Sequence, residues 1–331
     1  MELNVTGMDA AVVGGDIRAA AQAAALLDGG ATVTVIAPEV TATIDDLAAR
    51  RLVTWTRRDA EPADLEGFDL VLRGHPSEPR ERILGTGSVT LVGGGPGDPG
   101  LVTVAGRAAI ESADVIVTDR LAPLAALGWA RPGAAIVDVA KVPGGRSTSQ
   151  DEINRLLVEH AKSGSHVVRF KGGDNFVFGR GGEELAACLD AGLETRVVPG
   201  VTSAIAAPAM AGIPVTHRGL TQGFTAISGH VPPGHPDSTL DFDALARSGT
   251  TIVVLMGVRT LGAICRALID GGLGPDTPAA VIADGTMPSQ RVVRATVSTV
   301  NDVASAAGLG APAVAVIGRV ADVPGLEGAT A

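Results

Sequence analysis

Two glycine strings carry the residues of this chain best suited to gripping a small molecule. GGGPGDP, Gly93 to Pro99, follows the apolar run VTLV. The chain must turn sharply there on residues without side chains while Pro96 stiffens the corner, so a ligand can approach the backbone. KGGDNFVFGRGGEE, Lys171 to Glu184, follows VVRF in the same way. No Lys-Ser/Thr pair succeeds GGGPGDP, which argues against a P-loop, and glycine spacing alone is a weak dinucleotide signal. A third turn, Gly14-Gly15-Asp16, opens an alanine-rich helical stretch, with Glu39 placed to hold a ribose hydroxyl. Asp16, however, sets a negative charge and a Cβ where close approach to phosphate wants neither. Cys188 and Cys265 lie far apart and read as buried free thiols. His230 and His235 flank VPPG without a Cys or carboxylate cluster, so no metal is expected.

These residues need elements to hold them. Asp9 to Glu39 reads as strand, glycine turn, helix and β-branched strand, one βαβ unit. From Val89 the alternation resumes: strands at VTLVGGG, ADVIVTD and AAIVDVA, helix around Gln150 to Ser163, strand HVVRFKGG, helix GGEELAACLDAG and strand TRVVPG. A helix at Thr202 to Ala211 leads to ISGH, TTIVVLMG, PAAVIADG and PAVAVIGRV, four further strands. The spacing predicts an α/β protein of two lobes joined near residues 200–205, with a ligand cleft between them.

Composition narrows the function classes. Of 331 residues, 46% are hydrophobic, 19% charged and only eight aromatic, and the net charge is −10. Such a chain lacks base-stacking material and repels a phosphate backbone, so no nucleic-acid partner is expected. MELNVTGMDA has no basic leader region and no stretch reaches about 18 apolar residues, so a cytoplasmic protein without membrane spans is expected.

The blocks VTLVGGGPGDPGLVTVAGRAAIESADVIVTDRLAP, KVPGGRSTSQDEIN, VVRFKGGDNFVFGRGGEE, VVPGVTSAIAAPAMAGIPVTHR, VLMGV and IADGT stand in this order across Val89 to Val320. In order and spacing they resemble the uroporphyrinogen-III C-methyltransferases. The resemblance implies a two-lobed tetrapyrrole methylase fold over residues 88–326, with lobes of about 88–202 and 203–326. It further implies a homodimer that takes S-adenosyl-L-methionine between the lobes and releases S-adenosyl-L-homocysteine. By the same resemblance Pro96 contacts the cofactor, and Gly172, Gly173, Asp174 and Val177 form a second, opposite wall. Thr202, Ser203, Met256 and Gly285 complete the pocket. Asp119 in VTDRLAP is the implied proton acceptor and Lys141 in AKVPGGR the proton donor. The implied reaction methylates uroporphyrinogen III at two ring carbons to give precorrin-2, toward sirohaem and cobalamin; a later precorrin methyltransferase is the near alternative.

A uroporphyrinogen is an anionic tetrapyrrole with eight carboxylates. Residues 107–180 hold ten Lys and Arg against eight Asp and Glu, whereas the rest of the chain nets −12. That contrast suits focusing an anion. Arg120, Arg146, Lys171, Arg180 and Arg218 are carboxylate-clamp candidates, with structural ion pairing the plainer alternative, and His217 is a candidate for the substrate mouth. Three positions depart from the family: Thr118 stands for Tyr, Gly94 for Ala and Asn175 for Pro. Loss of the proline is expected to loosen the cofactor wall by about 0.4 to 1 kcal/mol.

Residues 9–72 resemble the NAD-binding domain of sirohaem synthases, so residues 1–87 are expected to form a small, incomplete Rossmann-like βαβ domain. The shortness of the segment and Asp16 weigh against NAD binding and precorrin-2 dehydrogenase activity. A non-catalytic docking module is the third reading.

Overall fold

The computed structural model describes residues 4–73, 87–139 and 148–323. The chain divides into two compact units, Met1–Val201 and Thr202–Ala331.

The first unit opens with β1 (Asp9–Val13), α1 (Ile17–Asp28), β2 (Thr32–Ile36), α2 (Ala42–Ala49), β3 (Thr54–Thr56) and β4 (Leu70–Arg73). All four strands are parallel, in the order β3-β2-β1-β4. The amino-terminal piece is therefore larger than the single βαβ unit expected. Strands of three and four residues are too short to print a period in the sequence. Six alanines make α1 a strong helix former, and the Asp16 carboxylate caps it by accepting the Ala19 amide at 2.8 Å.

A second parallel sheet follows, from β5 (Ser88–Gly93), α3 (Val104–Ser112), β6 (Val115–Thr118), β7 (Ala135–Asp138), α4 (Gln150–Lys162), β8 (His166–Lys171), α5 (Gly181–Asp190) and β9 (Glu194–Val198). Its order is β7-β6-β8-β5-β9. The interior strands β5 and β8 are buried almost throughout, as their apolar runs require. The two sheets of this unit are joined by a common core. Helix α1 packs on the 3-10 turn Leu124–Trp129, and Ala19, Ala23 and Leu26 share one apolar cluster with Ala122, Leu124, Ala126 and Leu127. Small residues on α1 let it approach closely, and the Arg18 guanidinium donates to the Ala134 carbonyl while Thr43 Oγ1 donates to Asp138 at 3.0 Å.

Asp28 closes α1 at the end where the helix dipole disfavours an acid. Burial pushes its carboxyl up to about 6, and the charge of Asp98, in the loop after β5, adds to the rise. A carboxyl raised in the folded state holds its proton longer than in the unfolded chain, so this group stabilises the fold least above about pH 6 and its penalty fades as pH falls toward 4. Asp28 is nonetheless exposed at the surface, which screens the effect. Replacing Asp28 with Asn is expected to add no more than about 1 kcal/mol at pH 8 and close to nothing at about pH 3, below the ordinary carboxyl range. Thermal melts at both values check this; a gain at the acid end alone would reverse the sign.

The second unit holds α6 (Ser203–Met210), β10 (Phe224–Ser228), α7 (Phe242–Arg247), β11 (Thr251–Leu255), α8 (Leu261–Asp270), β12 (Pro278–Ala283), β13 (Arg291–Thr296), α9 (Val300–Ala306) and β14 (Ala313–Ile317). Its sheet runs β10-β11-β14-β12-β13, with β10 and β11 parallel and the other pairs antiparallel. Alternate residues serve two cores. Ile252, Val254 and Val281 join Leu261, Ile264 and Leu268 of α8, whereas Val253, Leu255, Ala280 and Ile282 join Ala204 and Ala207 of α6. The edge strand β13 was not foreseen: RVVRAT is partly exposed along its length, so no buried face marks its pattern. Among the described residues no helix is long and apolar enough to cross a membrane.

Candidate active site

Because β5 and β8 are neighbours in register, with Gly93 opposite Lys171, the loops that follow them emerge side by side at the carboxyl edge of the sheet. Gly173 donates to the Gly95 carbonyl at 2.6 Å and Gly95 returns a bond to Gly173 at 3.1 Å. The two glycine strings are thus adjoining parts of one floor and not the opposite walls expected. Their glycines serve backbone contact: a Cβ on Gly200, after β9, would lie 2.3 Å from the Gly173 carbonyl oxygen, and one on Gly172 would lie 2.3 Å from that of Leu121.

Side chains lock this floor. Asp174 accepts the amides of Phe176 at 2.8 Å and Val177 at 3.2 Å through Oδ1, and that of Gly200 at 3.1 Å through Oδ2. Its carboxylate is a latch between loops. Asn175 is fully buried, and its amide nitrogen donates to the carbonyls of Val198 at 2.9 Å and Leu91 at 3.4 Å. The expected loosening at this position is corrected: the asparagine ties the loop to β9 and β5 through bonds that proline could not make. Asn175→Ala is expected to destabilise the protein by about 1 kcal/mol, because two buried bonds are lost while an Oδ1 that has no partner among the described residues is removed with them. A denaturant titration checks this, and an unchanged midpoint would remove the tether. Beyond it Phe176, Val177 and Phe178 stand exposed in succession, an apolar run that follows the glycines in sequence.

Asp119 follows β6, whose register sets Thr118 opposite Phe170. The pleat puts Arg169 and Lys171 of β8 on one face, where α5 presents Glu184. Arg169 donates to Glu184 at 3.0 Å, to Asp119 Oδ2 at 3.0 Å, and to the carbonyls of Phe170 at 3.2 Å and Val117 at 3.3 Å. Lys171 donates to Glu184 at 2.8 Å and to the Gly179 carbonyl, and Gln150 adds a bond to Glu184 at 3.2 Å. Of these four charges only Asp119 reaches solvent appreciably, its side chain 26% exposed against 4% or less for the others. Burial works against the Arg169 charge, but Asp119 and Glu184 outweigh it and hold the guanidinium above its ordinary range. Burial pushes the Lys171 ammonium down, with Glu184 only partly offsetting it. The network holds one carboxylate at the surface with its orientation set from below. Arg169 and Glu184 were missed as site residues; the signal was a charge inside the apolar strand HVVRFK.

Two clamp candidates are corrected. Lys171 is consumed inside the network. Arg120 is turned to Asp46 of α2 at 3.1 Å. Arg180 pairs with its neighbour Glu183 at 2.6 Å, with its side chain still 48% exposed. His217 stays exposed, its ring bonded to the Arg218 carbonyl at 2.9 Å, and Arg218 is exposed beside it. Lys141 and Arg146 lie outside the described residues.

In the second unit β11 and β12 both run antiparallel to β14, so their carboxyl ends share an edge. Met256 stands there exposed, and its φ of 56° puts it in the left-handed region with Asp284 at 51° and Thr286 at 76°. Such backbones cost about 1 to 3 kcal/mol each and cluster at ligand sites. A Cβ on Gly285 would fall 2.4 Å from the Ala207 Cβ, so the glycine seats this loop on α6, which begins at Ser203 with Thr202 capping the Ala204 amide at 3.3 Å. Cys188 and Cys265 are buried, which pushes both thiols up to about 11.

The amino-terminal turn departs from a phosphate-binding one at Asp16, whose carboxylate already satisfies the start of α1. It opens on a cleft lined by Gly14, Gly15, Pro38, Glu39 and Asp59, where a pyrophosphate would meet carboxylates.

The family model for Tetrapyrrole (Corrin/Porphyrin) Methylases matches residues 88–301, and an NAD(P)-binding model matches residues 1–78. An S-adenosyl-L-methionine-dependent uroporphyrinogen III methyltransferase of Methanosarcina barkeri is 49% identical over 71% of this chain and 92% of its own. A siroheme synthase of Methylococcus capsulatus is 41% identical over 84% of this chain but 57% of its own. The Thermus thermophilus uroporphyrin-III C-methyltransferase complexed with S-adenosyl homocysteine superposes with a TM-score of 0.59 at 40% identity, over 71% of this chain and 98% of that one. A cobalt precorrin-4 methyltransferase superposes at 0.65 with 26% identity, over 71% and 96%. With the motif blocks, the glycine floor and these matches in agreement, the chain belongs to the tetrapyrrole (corrin/porphyrin) methylase family.

Proposed function

We propose that this protein methylates uroporphyrinogen III at two ring carbons, using S-adenosyl-L-methionine, to give precorrin-2 for sirohaem and cobalamin formation. The carrying observation is the glycine floor with Asp119 at its side. The loops supply backbone donors and acceptors, the apolar residue Val177 and little free charge, which fits a cofactor with a sulfonium, an amino acid tail and an adenosine. Pro96, Gly172, Gly173 and Val177 are the candidates of the first unit to hold it, and Thr202, Ser203, Met256 and Gly285 are those of the second. When bound, S-adenosylmethionine supplies an electrophilic methyl group.

This chain's own part is electrostatic and protolytic. Methylation of a pyrrole carbon leaves positive charge on the ring and a proton to be removed. Asp119 offsets that charge and accepts the proton at its carboxylate, while Arg169 and the Leu121 amide, which donates to Oδ1 at 3.2 Å, keep it oriented. Lys141 is the proposed proton donor, and Arg218, Arg180 and Arg146 are the remaining candidates for substrate carboxylates. The protein acts in this reading as a cytoplasmic homodimer.

Backbone superposition favours the precorrin-4 enzyme slightly, and identity favours the uroporphyrinogen enzymes by a wide margin. Identity is the better guide to substrate, because the fold is common to the family whereas specificity lies in side chains. Purified protein incubated with uroporphyrinogen III and methyl-labelled S-adenosylmethionine is expected to place label in the tetrapyrrole with or without NAD. An unlabelled tetrapyrrole would sink the proposal, and NAD-dependent sirohydrochlorin would restore the dehydrogenase.

A further inference from the structure

The amino-terminal domain is packed into the core of the methylase half. Its α1 and α2 both face the second sheet of the first unit, through the shared apolar cluster and through Arg18, Thr43 and Asp46. The Asp46 contact is the one that reaches the site. Its carboxylate sits between Arg50 of its own helix at 3.6 Å and Arg120 at 3.1 Å, and both members of the Asp46–Arg120 pair are largely withdrawn from solvent, with side chains 18% and 16% exposed. Arg120 is peptide-bonded to Asp119 in a short turn. That turn is tied by the Ala122 amide to the Asp119 carbonyl at 3.3 Å and by the Leu121 amide to the Asp119 carboxylate. The Leu121 backbone in turn lies against Gly172 of the glycine floor, too close to admit a Cβ there. The turn that carries Asp119 is therefore held on one side by the floor and on the other by a carboxylate contributed from 74 residues upstream.

We propose that Asp46 is a positioning residue for methyl transfer: by fixing the Arg120 guanidinium it sets where the Asp119 carboxylate and the Gly172 backbone stand, and the amino-terminal domain serves the methylase as a brace. The proposal rests on the methyltransferase reading above. It contradicts the use of Arg120 as a substrate clamp, and the two ideas predict opposite kinetics. If Arg120 were a clamp restrained by Asp46, releasing it would lower KM for the tetrapyrrole and leave kcat intact. As a positioning residue, Asp46 affects kcat, because a displacement of about 1 Å near the reacting groups costs up to roughly a hundredfold.

The test uses the full chain with Asp46→Ala, Asp46→Glu, Arg120→Ala, the double variant and Arg18→Met. Arg18 donates to the Ala134 carbonyl, just before β7, whose first residue pairs with Val115 at the amino end of β6, so its loss loosens the brace away from Asp119. Expected is a fall in kcat of roughly ten- to a hundredfold for Asp46→Ala with little change in KM, partial rescue by Asp46→Glu and unchanged turnover for Arg18→Met. Thermal melts of the two single Asp46 and Arg120 variants and the double variant are expected to be non-additive, as for groups in contact. Wild-type kcat in Asp46→Ala, a fall in KM, or an equal loss in Arg18→Met overturns the positioning role. Additive melts overturn the ion pair itself, whatever the substrate. Wild-type protein inert toward uroporphyrinogen III sinks the functional reading and the positioning role with it, and non-additive melts would then show that the contact alone stands.

Discussion

Replacing Asp119 with Ala is expected to lower methyl transfer to the tetrapyrrole by roughly a hundred- to ten-thousandfold, the range of a lost acid–base group, with affinity for S-adenosylhomocysteine unchanged. The carboxylate is the solvent-reaching end of the buried network, and its removal takes nothing from the Gly95–Gly173 floor on which the cofactor would rest. Asp119→Asn refines the result. The amide retains an acceptor for Arg169 and nearly the same volume but carries no charge and accepts no proton under turnover conditions, so it is expected to be as slow as Ala while melting closer to wild type. Single-turnover transfer of labelled methyl, paired with calorimetric titration of S-adenosylhomocysteine, separates chemistry from binding. Wild-type turnover in either variant removes Asp119 from the chemistry, and a large loss of cofactor affinity reassigns it to binding.

The second large effect concerns Glu184, which touches no proposed ligand. It is wholly buried and answers two cations, Arg169 and Lys171. Glu184→Ala leaves Lys171 in the interior without its counter-ion and Arg169 with Asp119 alone, a change that costs about 3 to 5 kcal/mol when one member of a buried pair is deleted. At about 2 to 4 °C per kcal/mol for a chain of this size, the melting temperature is expected to fall on the order of 10 °C. Activity is expected to fall as well, since Arg169 loses one of the two carboxylates that fix its pose and Asp119 turns with it. Glu184→Gln keeps shape and hydrogen bonds and is expected to cost less. The loss should depend little on ionic strength, because buried pairs are poorly screened. A melting temperature within a degree of wild type for Glu184→Ala would show that these cations do not depend on it.

Asn175 illustrates how far a motif can mislead about mechanism. As a departure from proline it reads as lost rigidity, whereas its side chain bonds two strands that lie 84 and 23 residues away in sequence. Lys171 and Arg120 show the same limit for charge. Each looks like a clamp in a locally basic segment, and each is taken by a carboxylate whose proximity follows from how strands and helices assemble. The short strands β3 and β4 and the edge strand β13 escaped notice because burial on one face, which writes a period into sequence, is weak in them.

What the amino-acid sequence determined by itself is local or repeated. The β/α alternation, the glycine turns at strand ends and the ordered family blocks follow from backbone conformation and from which faces must be buried, and they place Asp119 at the end of a strand. The tertiary structure alone decided which strand ends adjoin. The order β7-β6-β8-β5-β9 joins the two glycine strings into one floor, sets Arg169 under Asp119, and leaves Asp46 on Arg120. Ion pairs and backbone bridges of this kind form between groups far apart in the chain, and no spacing encodes them until the sheet has closed.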